Sequence, residues 1–197
     1  MDRMVIAGKL EFYPEILANV RNDGKFYPIR PLIQVDDPEV REIARVLVQS
    51  DNFVEAAHEF VNSFTSYQSE IGDFWATPGE MLTIRAGDCD DSAILLCSLL
   101  RNYIPPDKVF VAFGVWTQGG KTGGHAWVVV QDDDGGDMVL ESTSHPRNPL
   151  HGKYTLSAMF NDTYCFATDI GIKDFDLKTE KEAVRAGRQF HEEISYA

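Results

Sequence analysis

Cysteine is scarce in this chain: Cys89, Cys97 and Cys165 are the only three in 197 residues. An odd number at wide spacing excludes a disulfide framework and the paired spacing of a zinc knuckle. Basic residues are also few. The 18 Lys and Arg stand against 31 Asp and Glu, a formal net charge of -13, and no basic stripe breaks that balance. Such a surface repels a phosphate backbone, which argues against nucleic acid as a partner. No apolar run is long enough to span a bilayer. Met1-Asp2-Arg3-Met4 leads into a mixed segment without the apolar stretch of a signal peptide. The expectation is a cytoplasmic protein with no membrane partner. Internal repeats and low-complexity linkers are missing as well. With 44% hydrophobic residues the chain can build a real core, so a single domain over 1–197 is expected.

Two polar stretches lack the context that would give them a ligand. Thr117-Gln118-Gly119-Gly120-Lys121-Thr122-Gly123-Gly124 reads as a flexible glycine-rich loop, without the strand and helix that frame a phosphate loop. The acidic turn Asp132–Asp137 lacks the spacing of a calcium-binding EF-hand and reads as a solvated hairpin tip. No metal and no cofactor is implied by either.

The most informative stretch is Gly87-Asp88-Cys89-Asp90-Asp91, directly ahead of an apolar run from Ser92 to Arg101. Gly87 allows a sharp turn. Asp88 is a good N-cap, and Asp91 three residues on is an acidic variant of the capping box. Cys89 is then the first helical residue, where the partial positive charge of the helix end favours a thiolate. Cys89, Ala93, Leu96, Cys97 and Leu100 fall on one helical stripe, so Cys89 is expected at the open end of a buried face. The ordinary role for a lone free cysteine is that of a small, inert, buried apolar residue. The rest of the chain favours a nucleophile here.

Residues 3–35 read as irregular structure with short strands at Met4-Val5-Ile6 and Phe26-Tyr27-Pro28-Ile29, separated by the turn Asn22-Asp23-Gly24. Asp36-Asp37-Pro38 opens a helix, and Asp51 is placed as the cap of a second. His58 lies beside the apolar stripe of that second helix and reads as a boundary residue of a packed helix rather than a ligand. Thr77 and Pro78 open a short helix ending near Arg85-Ala86-Gly87, which delivers the chain to Cys89. Lys108–Trp116, His125–Val130 and Met138–Thr143 read as strands, Ser144–Tyr154 as a loop carrying His145 and His151, and Thr163–Ala167 as a further strand with Cys165 in the core. Residues 179–195 read as a charged amphipathic helix with His191 solvated.

A cysteine nucleophile needs a base, and the base needs an orienting group. His125 opens a strand directly after two glycines. Glu141 lies on the following strand, and the two-residue period of a sheet makes a sharp test. In an even register Glu141 stands opposite His125, or opposite Trp127 and diagonal to His125; an odd register puts it on the other face. If the register is even, Cys89 attacks a carbonyl carbon, His125 takes and returns the proton, and Glu141 fixes the imidazole tautomer. The Cys89 backbone N–H serves the oxyanion. Trp75, just upstream, either fills core space, donates its indole N–H to the oxyanion, or walls the substrate groove. Asp88 and Asp90 oppose a depressed thiol pKa, so the histidine and the helix end must outweigh them.

Gly87-Asp88-Cys89-Asp90-Asp91-Ser92-Ala93, then Gly124-His125-Ala126-Trp127-Val128, then Leu140-Glu141-Ser142-Thr143 resemble the three motifs of the transglutaminase-like superfamily. Asp73–Glu80 is similar to the segment ahead of the cysteine in its bacterial and archaeal members. The resemblance covers roughly residues 70–145, leaving 1–69 as a helical and irregular N-terminal part and 146–197 as a C-terminal strand and helix. It implies an α+β, papain-like fold in which N-terminal helices and the cysteine-bearing helix pack on an antiparallel sheet. It implies acyl transfer on a polypeptide or peptide-like substrate, with Cys89, His125 and Glu141 catalytic and Trp75 and Gly124 near the substrate and oxyanion. Two departures stand out: Glu141 replaces the commoner Asp, and Ala76 stands where a polar Gln is frequent. A peptidase or amidohydrolase is the first expectation. A non-catalytic binding module on the same fold and a protein crosslinker are the alternatives.

Overall fold

The computed structural model describes residues 3–69, 72–132, 136–144 and 152–179. The predicted C-terminal helix and both loop histidines, His145 and His151, lie outside the described residues. In chain order the elements are β1 (Arg3–Ile6), β2 (Glu11–Tyr13), β3 (Ile16–Ala18), β4 (Tyr27–Pro28), α1 (Pro38–Leu47), α2 (Phe53–Phe64), β5 (Ser66–Tyr67), α3 (Pro78–Ile84), β6 (Ala86–Gly87) and α4 (Cys89–Leu100). They continue with β7 (Val109–Gln118), β8 (Lys121–Gln131), β9 (Asp137–Leu140), β10 (Lys153–Phe160), β11 (Cys165–Ala167), α5 (Asp169–Asp174) and β12 (Lys178–Thr179).

The main sheet runs β2-β11-β10-β7-β8-β9, and all of these pairings are antiparallel. β1 adds to β10 in parallel. α1, α2 and α3 pack on one side of α4, and β7 and β8 pack on the other. The result is the α+β architecture expected, a helical layer against an antiparallel sheet with the cysteine-bearing helix between them.

Each helix starts where local chemistry dictates. Asp37 caps α1, with Pro38 at the first position. Thr77 and Glu80 form a capping box on α3, again followed by proline. The cap of α2 is Asn52, one residue beyond the predicted Asp51. Asn and Asp are near-equivalent caps, so composition alone does not separate the two.

The buried face expected of α4 extends all round: every residue from Asp91 to Leu100 is buried, because helices cover one side and the sheet the other. Two expectations are corrected. Thr117–Gly124 is not a flexible loop. β7 and β8 pair through Gln118 and Lys121, and only Gly119 and Gly120 turn the chain. Both have positive φ, +57° and +80°, which is the glycine-requiring geometry of a tight hairpin. His125 is therefore mid-strand rather than at a strand end. Finally, the strand β10 falls across the predicted loop boundary at Tyr154. A bulge between Leu156 and Ala158 sends Tyr154 and Leu156 to one face of the sheet and Ala158 and Phe160 to the other.

Candidate functional site

The turn before Cys89 is tied by one carboxylate. Asp91 Oδ2 accepts from the Asp88 N–H at 3.0 Å, and Oδ1 accepts from the Ala76 N–H at 2.6 Å. The carboxylate lies so close to Gly87 that a Cβ there would stand 2.3 Å from Oδ2. Burial pushes the Asp91 pKa up, and the two amides oppose that rise. Sequence alone gives Asp91 as a capping residue. Its second bond, to the segment carrying Trp75, is a tertiary contact that no local pattern announces.

Cys89 is the first residue of α4 and is half-buried. β9 ends opposite Val128, so the Ala126 N–H, two residues earlier on β8, has no strand partner on that side. It faces the Cys89 thiol instead and favours its ionised form. The thiol pKa is pushed up to about 12, first by burial and then by the charges of Asp90 and Asp88; the Ala126 amide opposes this. Burial and the flanking carboxylates prevail, so the resting group is a thiol rather than the expected thiolate. Cys97 and Cys165 are fully buried, and burial raises both thiols.

His125 and Glu141 meet. Val128 pairs with Leu140, which is an even register: continued by one residue, it sets Glu141 opposite Trp127 and diagonal to His125. His125 Nε2 lies 2.7 Å from Glu141 Oε2. The imidazole is ringed by Trp116, Trp127 and Tyr154, with centroids 6.2 to 6.3 Å away. With Nε2 committed to the carboxylate, Nδ1 is the nitrogen left to face a thiol. Among the described residues no hydrogen bond joins the imidazole to Cys89 Sγ.

Glu141 is 4% exposed and densely held. Tyr154 Oη donates to Oε2 at 3.0 Å, and the Thr143 N–H and hydroxyl donate to Oε1 at 3.1 and 2.7 Å. Its backbone carbonyl lies 2.7 Å from Nε2 of His58, a buried residue on α2. Burial acts to raise the Glu141 pKa, but the hydrogen bond and charge of His125 and the two Thr143 bonds outweigh it, and the net direction is down. The carboxylate is therefore ionised at neutral pH. Tyr154 and the hydroxyl of Thr143 were not singled out from sequence, and His58 reads there only as a boundary residue of a packed helix. Thr143 carries a usable signal, since a threonine two residues after an acid is a local side-chain partner. The other two carry none.

A cavity of about 530 Å³ opens beside this pair, lined by Tyr67, Trp116, Gly123, Gly124, His125 and Thr143 among others. Gly124 is among the residues that line it. Tyr67 is an addition: β5 pairs with β6, Tyr67 against Gly87, which places it beside the turn that leads into Cys89. Trp75 does not line it. The indole packs on Phe113 and Phe160, at 5.5 and 6.0 Å between centroids, and faces a separate cavity with Asn19 and Phe175.

Among the described residues, Asp88, Cys89 and Asp90 bring possible metal-ligand atoms within 4.8 Å of one another. Their closeness follows from their being consecutive, and Asp88 is engaged as the helix cap. Of the acidic turn, residues 133–135 lie outside the description, and Asp132 Oδ1 accepts from the Gly136 N–H at 2.6 Å. No helix among the described residues is long and apolar enough to cross a membrane.

Residues 73–170, which carry Cys89, His125 and Glu141, match the family described as the CEP76 peptidase-like domain. The mouse Centrosomal protein of 76 kDa is 41% identical over 81 residues, a stretch covering 38% of this chain and 12% of that protein. Legionella pneumophila LapG superposes with a TM-score of 0.51 at 17% identity, over 79% of this chain and 88% of that one. A structure described as a candidate cysteine protease from Cytophaga hutchinsonii is also similar, with a TM-score of 0.48 and 19% identity over 78% and 53% of the two chains. The chain therefore has a papain-like, peptidase-like α+β fold, and α1 and α2 lie outside the segment matched by the family.

Proposed function

We propose that this chain is a cysteine-dependent acyl-transfer enzyme, a peptidase or amidohydrolase acting on a polypeptide or peptide-like substrate. The observation that carries the reading is the 2.7 Å pair of His125 and Glu141, with the amide of Ala126, the next residue after His125, beside the Cys89 thiol.

Glu141 accepts from Nε2–H and so leaves Nδ1 unprotonated and basic. A substrate carbonyl enters from the cavity lined by Gly124 and Tyr67. Cys89 Sγ bonds to the carbonyl carbon as its proton passes to His125 Nδ1. With a thiol pKa near 12 this transfer accompanies attack rather than preceding it. The carbonyl oxygen becomes an oxyanion that accepts from the Cys89 N–H, a first-turn amide without an intrahelical partner, at the positive end of α4. The C–N bond then breaks, His125 returns its proton to the leaving amine, and a thioester remains on Cys89. Water attacks with its proton passing to His125, which releases acid and restores the thiol. A lysine amine in place of that water makes the same site a crosslinker.

One observation favours a second reading, a non-catalytic binding module: Cys89 rests as a thiol with no hydrogen bond to the imidazole. The test is mass spectrometry after treatment with iodoacetamide, wild type against His125→Ala. Modification of Cys89 ahead of Cys97 and Cys165, slowed in the variant, supports the enzyme. Equal, slow modification in both proteins supports the binding module.

A further inference from the structure

The acid partner of His125 is anchored from outside the segment that bears the rest of the site. His58 lies on α2, 83 residues before Glu141, and its ring is 8% exposed. Its Nε2 stands 2.7 Å from the Glu141 carbonyl oxygen, so Nε2 carries a proton and donates it.

We propose that His58 is a positioning residue that sets the direction of the Glu141 carboxylate through its main chain; this rests on the reading of His125 and Glu141 as base and orienting acid. The geometry explains the need. β9 ends at Leu140, so Glu141 leaves the ladder and its carbonyl loses the sheet as a partner. Its other donor is the Ser144 N–H of the same turn, at a long 3.4 Å; without His58 the buried carbonyl keeps only that bond, and the backbone that sets the Glu141 Cα–Cβ direction is tied to no other element. Thr143 cannot fix that direction, because it lies two residues on and moves with the same turn. The ties to other elements are Tyr154 on β10, which holds the carboxylate, and His58, which holds the backbone. Two fixed points on different elements define the line along which the side chain reaches His125. Its bond is to the carbonyl, so His58 acts on the carboxylate by position. The N-terminal helices, outside the matched segment 73–170, thereby acquire a part in the chemistry.

The test uses the full chain with His58→Phe, which keeps bulk and removes the donor, and His58→Gln, which keeps a donor. His58→Met replaces the former if it does not fold. Two readouts are taken on folded protein well below the unfolding transition. One is the rate of Cys89 alkylation by iodoacetamide. The other is the NMR resonance of the His125 Nε2 proton, which a bond to Glu141 holds downfield and protected from exchange. We expect about tenfold slower alkylation in His58→Phe, the size of one lost buried hydrogen bond, with the resonance shifted or lost and both restored in part by His58→Gln. Unchanged readouts with only a lower Tm overturn the proposal, since a purely structural role moves stability alone. If wild-type Cys89 does not react while the resonance still depends on His58, the enzyme reading falls and the positioning role stands.

Discussion

Asp91 leaves no room for a side chain on Gly87: a Cβ added there would stand 2.3 Å from the carboxylate oxygen that accepts the Asp88 amide. The absence of one methyl group is thus a condition for the turn that presents Cys89. Gly87→Ala is expected to force Asp91 away and break the capping box. The loss should be about 1–3 kcal/mol, the cost of an unsatisfied buried group or a lost cap, read from urea unfolding. Alkylation of Cys89 should lose its dependence on His125 in the same variant, since the thiol no longer stands beside the Ala126 amide.

The acid limb of stability reports on Glu141. Its pKa in the folded chain lies below the ordinary value of 4.5. A lowered carboxylate contributes stability that is present above that ordinary value and is lost as pH falls through the folded one. Glu141→Gln has no such group. The stability difference between wild type and Glu141→Gln should therefore shrink steadily as pH drops below about 4.5, measured by urea unfolding across that window. A constant difference would mean that the His125 contact does not favour the ionised form.

Asp90 adds to the effect of burial on the Cys89 thiol. It is, after burial, the largest cause of the rise of Cys89 to about 12. Asp90→Asn removes that charge and leaves the Asp88 cap in place. Iodoacetamide should then modify Cys89 faster, by about threefold at pH 8 for a modest fall in thiol pKa. In the wild type the rate should climb with pH through 7 to 10 without a plateau.

α4 is enclosed on all sides, so its apolar residues should be costly to truncate. Leu95→Ala, off the stripe of Cys89, Ala93 and Leu96 and yet fully buried, is expected to destabilise the chain by about 2–5 kcal/mol, with the midpoint of urea unfolding lowered to match. A surface helix with one buried face would show a much smaller loss at its flanking positions.

What sequence made legible was local or ordered along the chain. The caps at Asp37, Thr77 and Asp88 lie within three residues of the amides they serve, so pattern suffices. The shared face of Glu141 and His125 follows from the two-residue period once the register is even, and the pairing of Val128 with Leu140 makes them diagonal neighbours. Contacts made across the fold were hidden. His58 looks like any boundary histidine of α2 until β9 brings Glu141 beneath it. Tyr154 sits on a strand whose bulge splits an otherwise regular apolar alternation between two faces, so alternation alone misassigns half of it. The glycines of 119–124 read as a loop because glycine disfavours strands. Pairing with β7 outweighs that preference everywhere except at the two residues that turn.

The most direct measurement is the reaction with p-nitrophenyl acetate, followed for the released phenol and by mass spectrometry of the protein. A thiol activated by His125 and Glu141 takes up a stoichiometric acetyl group on Cys89 in a burst, slowed in His125→Ala and Glu141→Gln and abolished in Cys89→Ala. Phenol release at the same rate from wild type and Cys89→Ala, with no acetyl group on Cys89, would contradict the account.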